Sequence, residues 1–331
     1  MGHRPAAELT ADVGATGLTL PQFLRTVADH LEQPADGTSA ELLPLAERFL
    51  TAGLTALDAQ AQPRAWLEYR LVTAPTGAPA ELYAELLHCA GELLADASAD
   101  NFYFVHKTPG LRVRFDTTTP LRSQVEDRLA ATWRTYRKAG LITEVRHAVY
   151  EPEQQLFGGP AAMGGVHRLF TADSLLWLDH LARPVRPIPS WALSLAAVRV
   201  LLNHLHITEF EDRGVWDTVR RKFGRRFETG PPANWPETSG RMNLLWQAPH
   251  QVSALRAPAV QPAFSQFTRS VADTCDSWRE EYFGRHDAMT GPREAAAALV
   301  VFHWNRARMP KNWQVAVAEA LADGPPDQGA P

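Results

Sequence analysis

Residues 102–115 read FYFVHKTPGLRVRF. Phe102 to Lys107 and Leu111 to Thr117 are two extended runs rich in aromatic and β-branched residues, and Thr108-Pro109-Gly110 between them is a turn signal. The segment predicts a β-hairpin. On its upstream side, WLEYRLVT (66–73) alternates as a strand does, and Ala80 to Ala95 is helical, rich in Leu, Ala and Glu. On its downstream side, Leu121 to Ala139 is helical and stops at Gly140, and Ile142 to Tyr150 is again a strand. The order β-α-β-β-α-β is the split βαβ, ferredoxin-like arrangement.

Beyond Pro160 the pattern turns helical, at about 161–182, 190–207, 212–224, 262–283 and 291–308. Pro- and Gly-rich stretches, RPVRPIPS (183–190) and ETGPPANWPETSG (228–240), read as loops between them. The fold class is therefore α+β: a sheet over 63–150, then a helical half over 160–320. Residues 1–62 read as a loose tail and a helical extension, in which apolar residues at helical spacing from Leu20 to about Asp58 suggest two or three short helices. Residues 321–331 read as a disordered tail.

Composition narrows the function. With 331 residues, 45% of them hydrophobic, the chain is long enough for a proper core, and a net charge of −4 gives no sign of a nucleic-acid partner. No apolar run is long enough to span a membrane, and the N-terminal residues lack the apolar core of a signal peptide. Two cysteines, Cys89 and Cys275, cannot make a disulfide framework or a Cys-based zinc site. A reduced, cytoplasmic protein without metal or cofactor is expected.

Four clusters could carry chemistry. Arg112 and Arg114 lie two apart on a strand and share a face; they form either a fork for carboxylates and carbonyls or a solvated sheet face. In FHWNR (302–306), His303 and Arg306 share a helix face, which suits either a neutral acid/base or a buried histidine with an arginine near the helix end. His204, His206 and Glu209 invite a metal reading, but helical spacing of two puts the histidines on different faces. The basic run RRKFGRR (220–226) is either a solvated helix end or a grip for an acidic peptide or phosphate. The pairs Gly158-Gly159 and Gly164-Gly165 do not form GxGxxG, so no nucleotide motif is present. They could be an active-site turn, an anion cradle or a connector.

Taken in order, FYFVHKTPGLRVRF, AVYEPEQQLFGGPAAMGGVHRLFTADS and VVFHWNRARM resemble the thiopeptide-type bacteriocin biosynthesis proteins, which are similar to the C-terminal elimination domain of LanB lantibiotic dehydratases. The resemblance spans roughly residues 64 to 320. It implies a LanB-elimination-like catalytic domain, and it implies that the double-glycine turn leads from the last strand into the helical half. It further implies work on a ribosomally made precursor peptide that carries a leader, beside other enzymes of its pathway, with no membrane, no nucleic acid and a homodimer left open. Two enzymatic roles follow from it. One is pyridine synthesis, a formal aza-[4+2] cycloaddition of two dehydroalanines with loss of water and leader to close a macrocycle. The other is glutamate elimination by a stand-alone subunit of a split dehydratase. A noncatalytic leader-binding partner is a third reading.

The residue match is partial. Arg112 and Arg114 match the arginine pair of the eliminases' H-x-R-x-R-F strand, but the leading His is Gly110. Their R-Y-G-G turn is Leu156-Phe157-Gly158-Gly159 here, and their C-terminal His falls at Val301, with His303 two residues ahead of Asn305. A leaving carboxylate needs a cation, so these departures favour pyridine synthesis. That reaction calls for orientation, hydrogen-bond donors and a modest acid/base. Its candidate catalytic residues are His303, Arg112, Arg114, Tyr150 and Glu151. Phe157, Gly158, Gly159, Trp191, Trp304, Asn305 and Arg306 are candidates for binding the flat substrate, and Arg220, Arg221, Lys222, Arg225 and Arg226 for binding the leader.

Overall fold

The computed structural model describes residues 18–32, 42, 44–50, 64–74, 78–248 and 253–324. They divide into two compact units, one before residue 64 and one from Arg64 onward. In the first, helix α1 (Leu20–Glu32) places Phe23 and Val27 one turn apart, and they bury with Leu42 and Ala46. Of the expected tail and extension over 1–62, residues 1–17, 33–41, 43 and 51–62 lie outside the described residues. Of the expected disordered tail over 321–331, residues 325–331 also lie outside them, but 321–323 are the end of the last helix, with Leu321 buried, so that tail starts later than expected.

The second unit opens with β1 (Arg64–Val72), α2 (Ala80–Ala95), β2 (Asn101–Lys107), β3 (Gly110–Thr118), α3 (Arg122–Lys138) and β4 (Glu144–Ala148). The four strands form one antiparallel sheet in the order β2-β3-β1-β4. This is the expected α+β, ferredoxin-like order, with β1 inserted beside β3 so that the hairpin lies on one side of it and β4 on the other. The helix before β4 ends at Gly140, whose φ of +74° allows Leu141 N–H to reach back to the Tyr136 carbonyl at 2.9 Å. β4 is shorter than the run Ile142 to Tyr150 because Ile142 buries in the turn and Tyr150 leaves the ladder.

Alternation gives the sheet two unlike faces. Leu67, Tyr69 and Leu71 of β1 register with Phe115, Val113 and Leu111 of β3, and these with Phe102 and Phe104 of β2. This apolar face packs on α2 and α3, as Tyr83 against Phe104 and Tyr69 against Trp133 show. The other face carries Trp66, Glu68, Tyr103, Arg112, Arg114 and Asp116. Most of these polar groups are buried all the same, because the helical half covers part of that face.

The helical half comprises α4 (Met163–Leu181), α5 (Ser190–His204), α6 (Glu211–Lys222), α7 (Trp235–Gln247), α8 (Gln261–Trp278), α9 (Pro292–Arg306) and α10 (Lys311–Asp323). Five of these seven match the expected helical segments. The stretch 228–240, expected as a loop, is helical from Trp235. Pro236 sits in the first turn, where its missing N–H costs no hydrogen bond, so the proline starts this helix instead of breaking it. The second unexpected helix, α10, likewise begins just after a proline, Pro310. Among the described residues no helix is long and apolar enough to cross a membrane.

Helix α4 ties the two halves together along the outer edge of β2. Thr171 Oγ1 and Ser174 Oγ accept the N–H groups of Phe102 and Phe104 at 3.1 and 3.3 Å, and Asn305 Oδ1 of α9 accepts that of His106 at 2.9 Å. The edge strand's outward donors are thereby satisfied by side chains. Helix α4 approaches α8 closely at Gly165, where a Cβ would lie 2.4 Å from the Trp278 ring.

Candidate functional site

The strand spacing that sets Arg112 and Arg114 on one face also sets Glu68 of β1 directly opposite Arg114. Arg114 Nε donates to Glu68 Oε2 at 2.7 Å with both side chains buried, and Arg112 Nε lies 3.9 Å from Glu68 Oε1. The fork is therefore occupied by the protein's own carboxylate. Arg114 is sealed, its guanidinium 4.9 Å from the centre of the Tyr103 ring and 5.2 Å from that of Tyr150. Arg112 keeps 29% of its side chain exposed.

On the same face, the chain leaving β4 brings Tyr150 to the first turns of α4. The Tyr150 hydroxyl and His167 Nε2 are 2.9 Å apart, and Trp66 packs on both, with ring centres 4.7 Å from Tyr150 and 4.4 Å from His167. Burial lowers the His167 pKa to about 4, and the positive charges of Arg114 and Arg64 push the same way. The imidazole is thus neutral at pH 7. Burial pushes Tyr150 up to about 12, against the partial opposition of the neighbouring Tyr103 hydroxyl and the positive charge of Arg114, so its proton stays on. These groups wall a cavity of about 510 Å³, lined also by Arg122, Met163 and Gln154. Tyr150 was a sequence candidate. His167 was missed, although it stands inside the quoted GGVHRLF stretch. Glu151, next to Tyr150, points to solvent and does not line the cavity.

The double-glycine turn is built for close packing. Gly158 and Gly159 both have φ of +96°, in the left-handed region that favours glycine. A Cβ on Gly158 would lie 1.7 Å from the Tyr282 hydroxyl. That hydroxyl donates to the Gly158 carbonyl at 3.2 Å and accepts the N–H groups of Met289 and Thr290, both at 3.1 Å. Phe157 is fully buried against Phe170 and Phe302. The turn is a connector locked by Tyr282, and Phe157 presents no face to a substrate.

His303 and Arg306 do share a helix face, and both bind an aspartate the sequence reading did not weigh. Asp173 of α4 takes His303 Nδ1 at 2.7 Å on one oxygen and Arg306 Nε at 2.5 Å on the other, while His303 Nε2 meets Ser194 Oγ of α5 at 2.9 Å. Burial alone would raise the Asp173 pKa; His303 and Arg306 outweigh it and hold the carboxyl at about 2. The Ser-His-Asp connectivity imitates a nucleophile triad, but Ser194 is 1% exposed and the adjoining cavity is only about 30 Å³. No peptide reaches it. His303, expected as an accessible acid/base, is instead part of a polar clamp joining α4, α5 and α9. Asn305 caps β2, and Arg306 is buried with the clamp.

The remaining candidates are placed as follows. Trp304 is buried in a stack on Trp216, so it cannot stack on a substrate, and Trp191, half-buried, stacks on Trp313. In the basic run, Arg220 binds Asp217, Glu319 and Asp323; Arg221 shares Asp217; Lys222 pairs with Glu294; and Arg225 bonds Gln314. The run is spent mainly on holding α6 to α10, which leaves Arg221 and Arg226 as its most open cations besides Lys222. His206 Nδ1 lies 3.2 Å from Arg279 Nη1, and among the described residues there is no group of three or more His, Cys, Asp or Glu that could hold a metal ion.

Residues 66–323 match the family model described as lantibiotic biosynthesis dehydratase C-term. No curated protein matches the chain. Among solved structures, the tRNA-dependent lantibiotic dehydratase MibB from Microbispora sp. 107891 superposes with a TM-score of 0.56 at 16% identity, over 78% of this chain and 28% of MibB. TsrL superposes with a TM-score of 0.46 at 13% identity, over 79% of this chain and 95% of TsrL. The chain thus spans little more than a quarter of MibB, and the shared part has the mixed sheet and helical architecture described above. On the family match over residues 66–323, the chain belongs to the lantibiotic biosynthesis dehydratase C-terminal family.

Proposed function

We propose that the protein matures a ribosomally made, leader-bearing peptide by joining two dehydroalanines into a pyridine ring. The observation that carries this reading is the Tyr150–His167 pair on a roomy cavity, neutral at pH 7, beside an Arg114 already bound by Glu68. In the reaction, the amide that joins one dehydroalanine to the residue before it becomes an iminol: a proton leaves nitrogen and another arrives on oxygen. His167 Nε2 and the Tyr150 hydroxyl are a proton acceptor and a donor within 2.9 Å of each other, and suit that exchange. The resulting 2-azadiene adds to the second dehydroalanine, forming two carbon–carbon bonds. Loss of the iminol hydroxyl as water and of the leader as its carboxamide then gives the aromatic ring, with no oxidant required. The same pair can protonate the departing hydroxyl. Trp66, half-buried at the cavity wall, offers a ring face to a flat azole-rich substrate. Holding the two alkenes in reacting geometry supplies roughly 7–11 kcal/mol of the barrier reduction such sites achieve.

Glutamate elimination needs a base for the α-proton and a cation for the leaving carboxylate. The position of the eliminases' leading histidine is Gly110, where a Cβ would fall 2.0 Å from the Leu71 carbonyl oxygen, so no side chain fits there. Arg112, partly exposed, is the feature that keeps elimination as the second reading. Mass spectrometry separates the two. A leader-bearing, azole-containing bis-dehydroalanine peptide should lose water and release a leader carboxamide. An unchanged mass, together with loss of glutamate from a glutamylated peptide, would establish elimination instead.

A further inference from the structure

The two edges of the sheet are finished differently. On β2 the outward N–H groups of Phe102, Phe104 and His106 are all taken by side chains of α4 and α9. On the opposite edge, the direction in which β4's backbone points follows from the register. Thr73 N–H reaches Pro109, so the odd-numbered residues of β1 pair with β3 and the even-numbered Glu68, Arg70 and Val72 face Ala148, Arg146 and Glu144. The backbone groups of Val145 and His147, and of Val149 just beyond, therefore point away from the sheet. Among the described residues nothing bonds to them, and no proline or helix blunts this edge. Val149 is 81% exposed, an unusual position for a branched apolar side chain beside a cleft.

This free edge runs into the site. His147, Ala148, Val149 and Tyr150 form one wall of the 510 Å³ cavity that His167 and Trp66 complete. We propose that an extended segment of the peptide substrate adds to β4 as a fifth strand, and that this pairing feeds the reacting residue to Tyr150 and His167. From Val145 to Val149, four steps of about 3.3 Å each offer a docking length of about 13 Å. Backbone pairing is tolerant of side chains, which suits a substrate whose residues are being rebuilt. The occupant is the peptide because the edge is continuous with the reaction cavity. This inference rests on the proposed function for the identity of the substrate.

Amide hydrogen exchange on the full chain tests it, with and without the bis-dehydroalanine peptide. The amides of Val145, His147 and Val149 should exchange fast in the free protein and slow at least tenfold with peptide. Those of Arg146 and Ala148, already bonded to β1, should change little. Val145→Pro should raise the peptide's KM about tenfold while Val145→Ala, which keeps the N–H, should not. Turnover without slowing at the three amides would overturn edge docking and leave the proposed function standing. Slowing without turnover would support docking and overturn the cyclase reading. Amides already slow in the free monomer, or slowed only as the chain dimerises, would show the edge filled by the protein itself and overturn the proposal. A peptide neither bound nor turned over would remove both.

Discussion

Two buried histidines, each hydrogen-bonded in the protein interior, face opposite fates. His303 lies between Asp173 and Ser194 in a network closed on every side, beside a void of about 30 Å³. His167 lies between Tyr150 and Trp66 on the wall of a cavity of about 510 Å³. His303 has the partners of a catalytic residue, down to a carboxylate on one nitrogen and a hydroxyl on the other, yet no substrate can reach it. His167 has an ordinary tyrosine for a partner and open space beside it. Residue type and hydrogen-bond connectivity do not by themselves make a site; access and the protonation state set by burial decide. On this comparison the first cluster holds helices together, and the second is where the proposed chemistry is placed.

The comparison can be broken from either side. The largest effect is expected at Asp173. Asp173→Ala leaves Arg306 buried without a counter-charge and should cost about 3–5 kcal/mol of stability, read as a lowered denaturant midpoint. A midpoint within about 1 kcal/mol of wild type would mean the clamp does not hold the helices. Gly158→Ala combines a positive φ with collision on Tyr282, and about 2–4 kcal/mol should be lost. If this variant instead lost turnover at full stability, the glycine turn would belong to the site and not to the scaffold.

The pH dependence should differ between the clusters. Asp173 has a folded pKa of about 2, below its unfolded value, so its stabilisation is complete above the ordinary carboxylate range. It fades only as pH falls from about 4 toward 2. His167, like His106 and His180, has a folded pKa lowered to about 4. The unfolded chain binds more protons than the folded one between about pH 6.5 and 4, so stability falls on acidification through that window. His167→Gln should reduce the slope there. In the wild type, kcat/KM should hold down to about pH 5, with its acid limb nearer 4 than 6.5; a limb at 6.5 would place the working base elsewhere.

The smallest effect is expected from the basic run. Arg220, Lys222 and Arg225 are bound within the chain, and Arg221 holds only an exposed pair with Asp217, so reversing Arg221 and Arg226 to Glu should cost no more than about 1 kcal/mol of stability. Peptide affinity, measured by anisotropy, should move less than about twofold. A tenfold loss would restore these residues as the leader's grip.

Much of the sheet was legible because each strand writes its own pattern. Alternation in FYFVHKTPGLRVRF sets the hairpin and its two faces, and Gly140 ends a helix by a mechanism local to the six residues from Tyr136 to Leu141. Trp235–Gln247 was illegible because Pro and Gly density mimics a loop, although a proline in a first turn is neutral. The site was half legible. The arginine pair was found, but Glu68, which binds Arg114, faces it only through strand register, 46 residues away along the chain. His167 gave no pattern of its own, since a single histidine in an apolar helix resembles any core histidine. Asp173 did leave a signal: a lone carboxylate in FTADSLLWL, on an apolar helix, must meet a cation if it is buried, and the fold brings it His303 and Arg306 from 130 and 133 residues further on.

The most direct test sets the two histidines against each other in one assay. His167→Gln and His303→Gln are each assayed by mass spectrometry with the bis-dehydroalanine peptide, and turnover is divided by the fraction of protein folded at the assay temperature. His167→Gln should unfold at or above the wild-type denaturant concentration and lose about 10²-fold or more in turnover. His303→Gln should unfold earlier and keep wild-type turnover per folded molecule. The reverse result, a stable His303→Gln that is dead and a His167→Gln that still cyclises, would contradict the account.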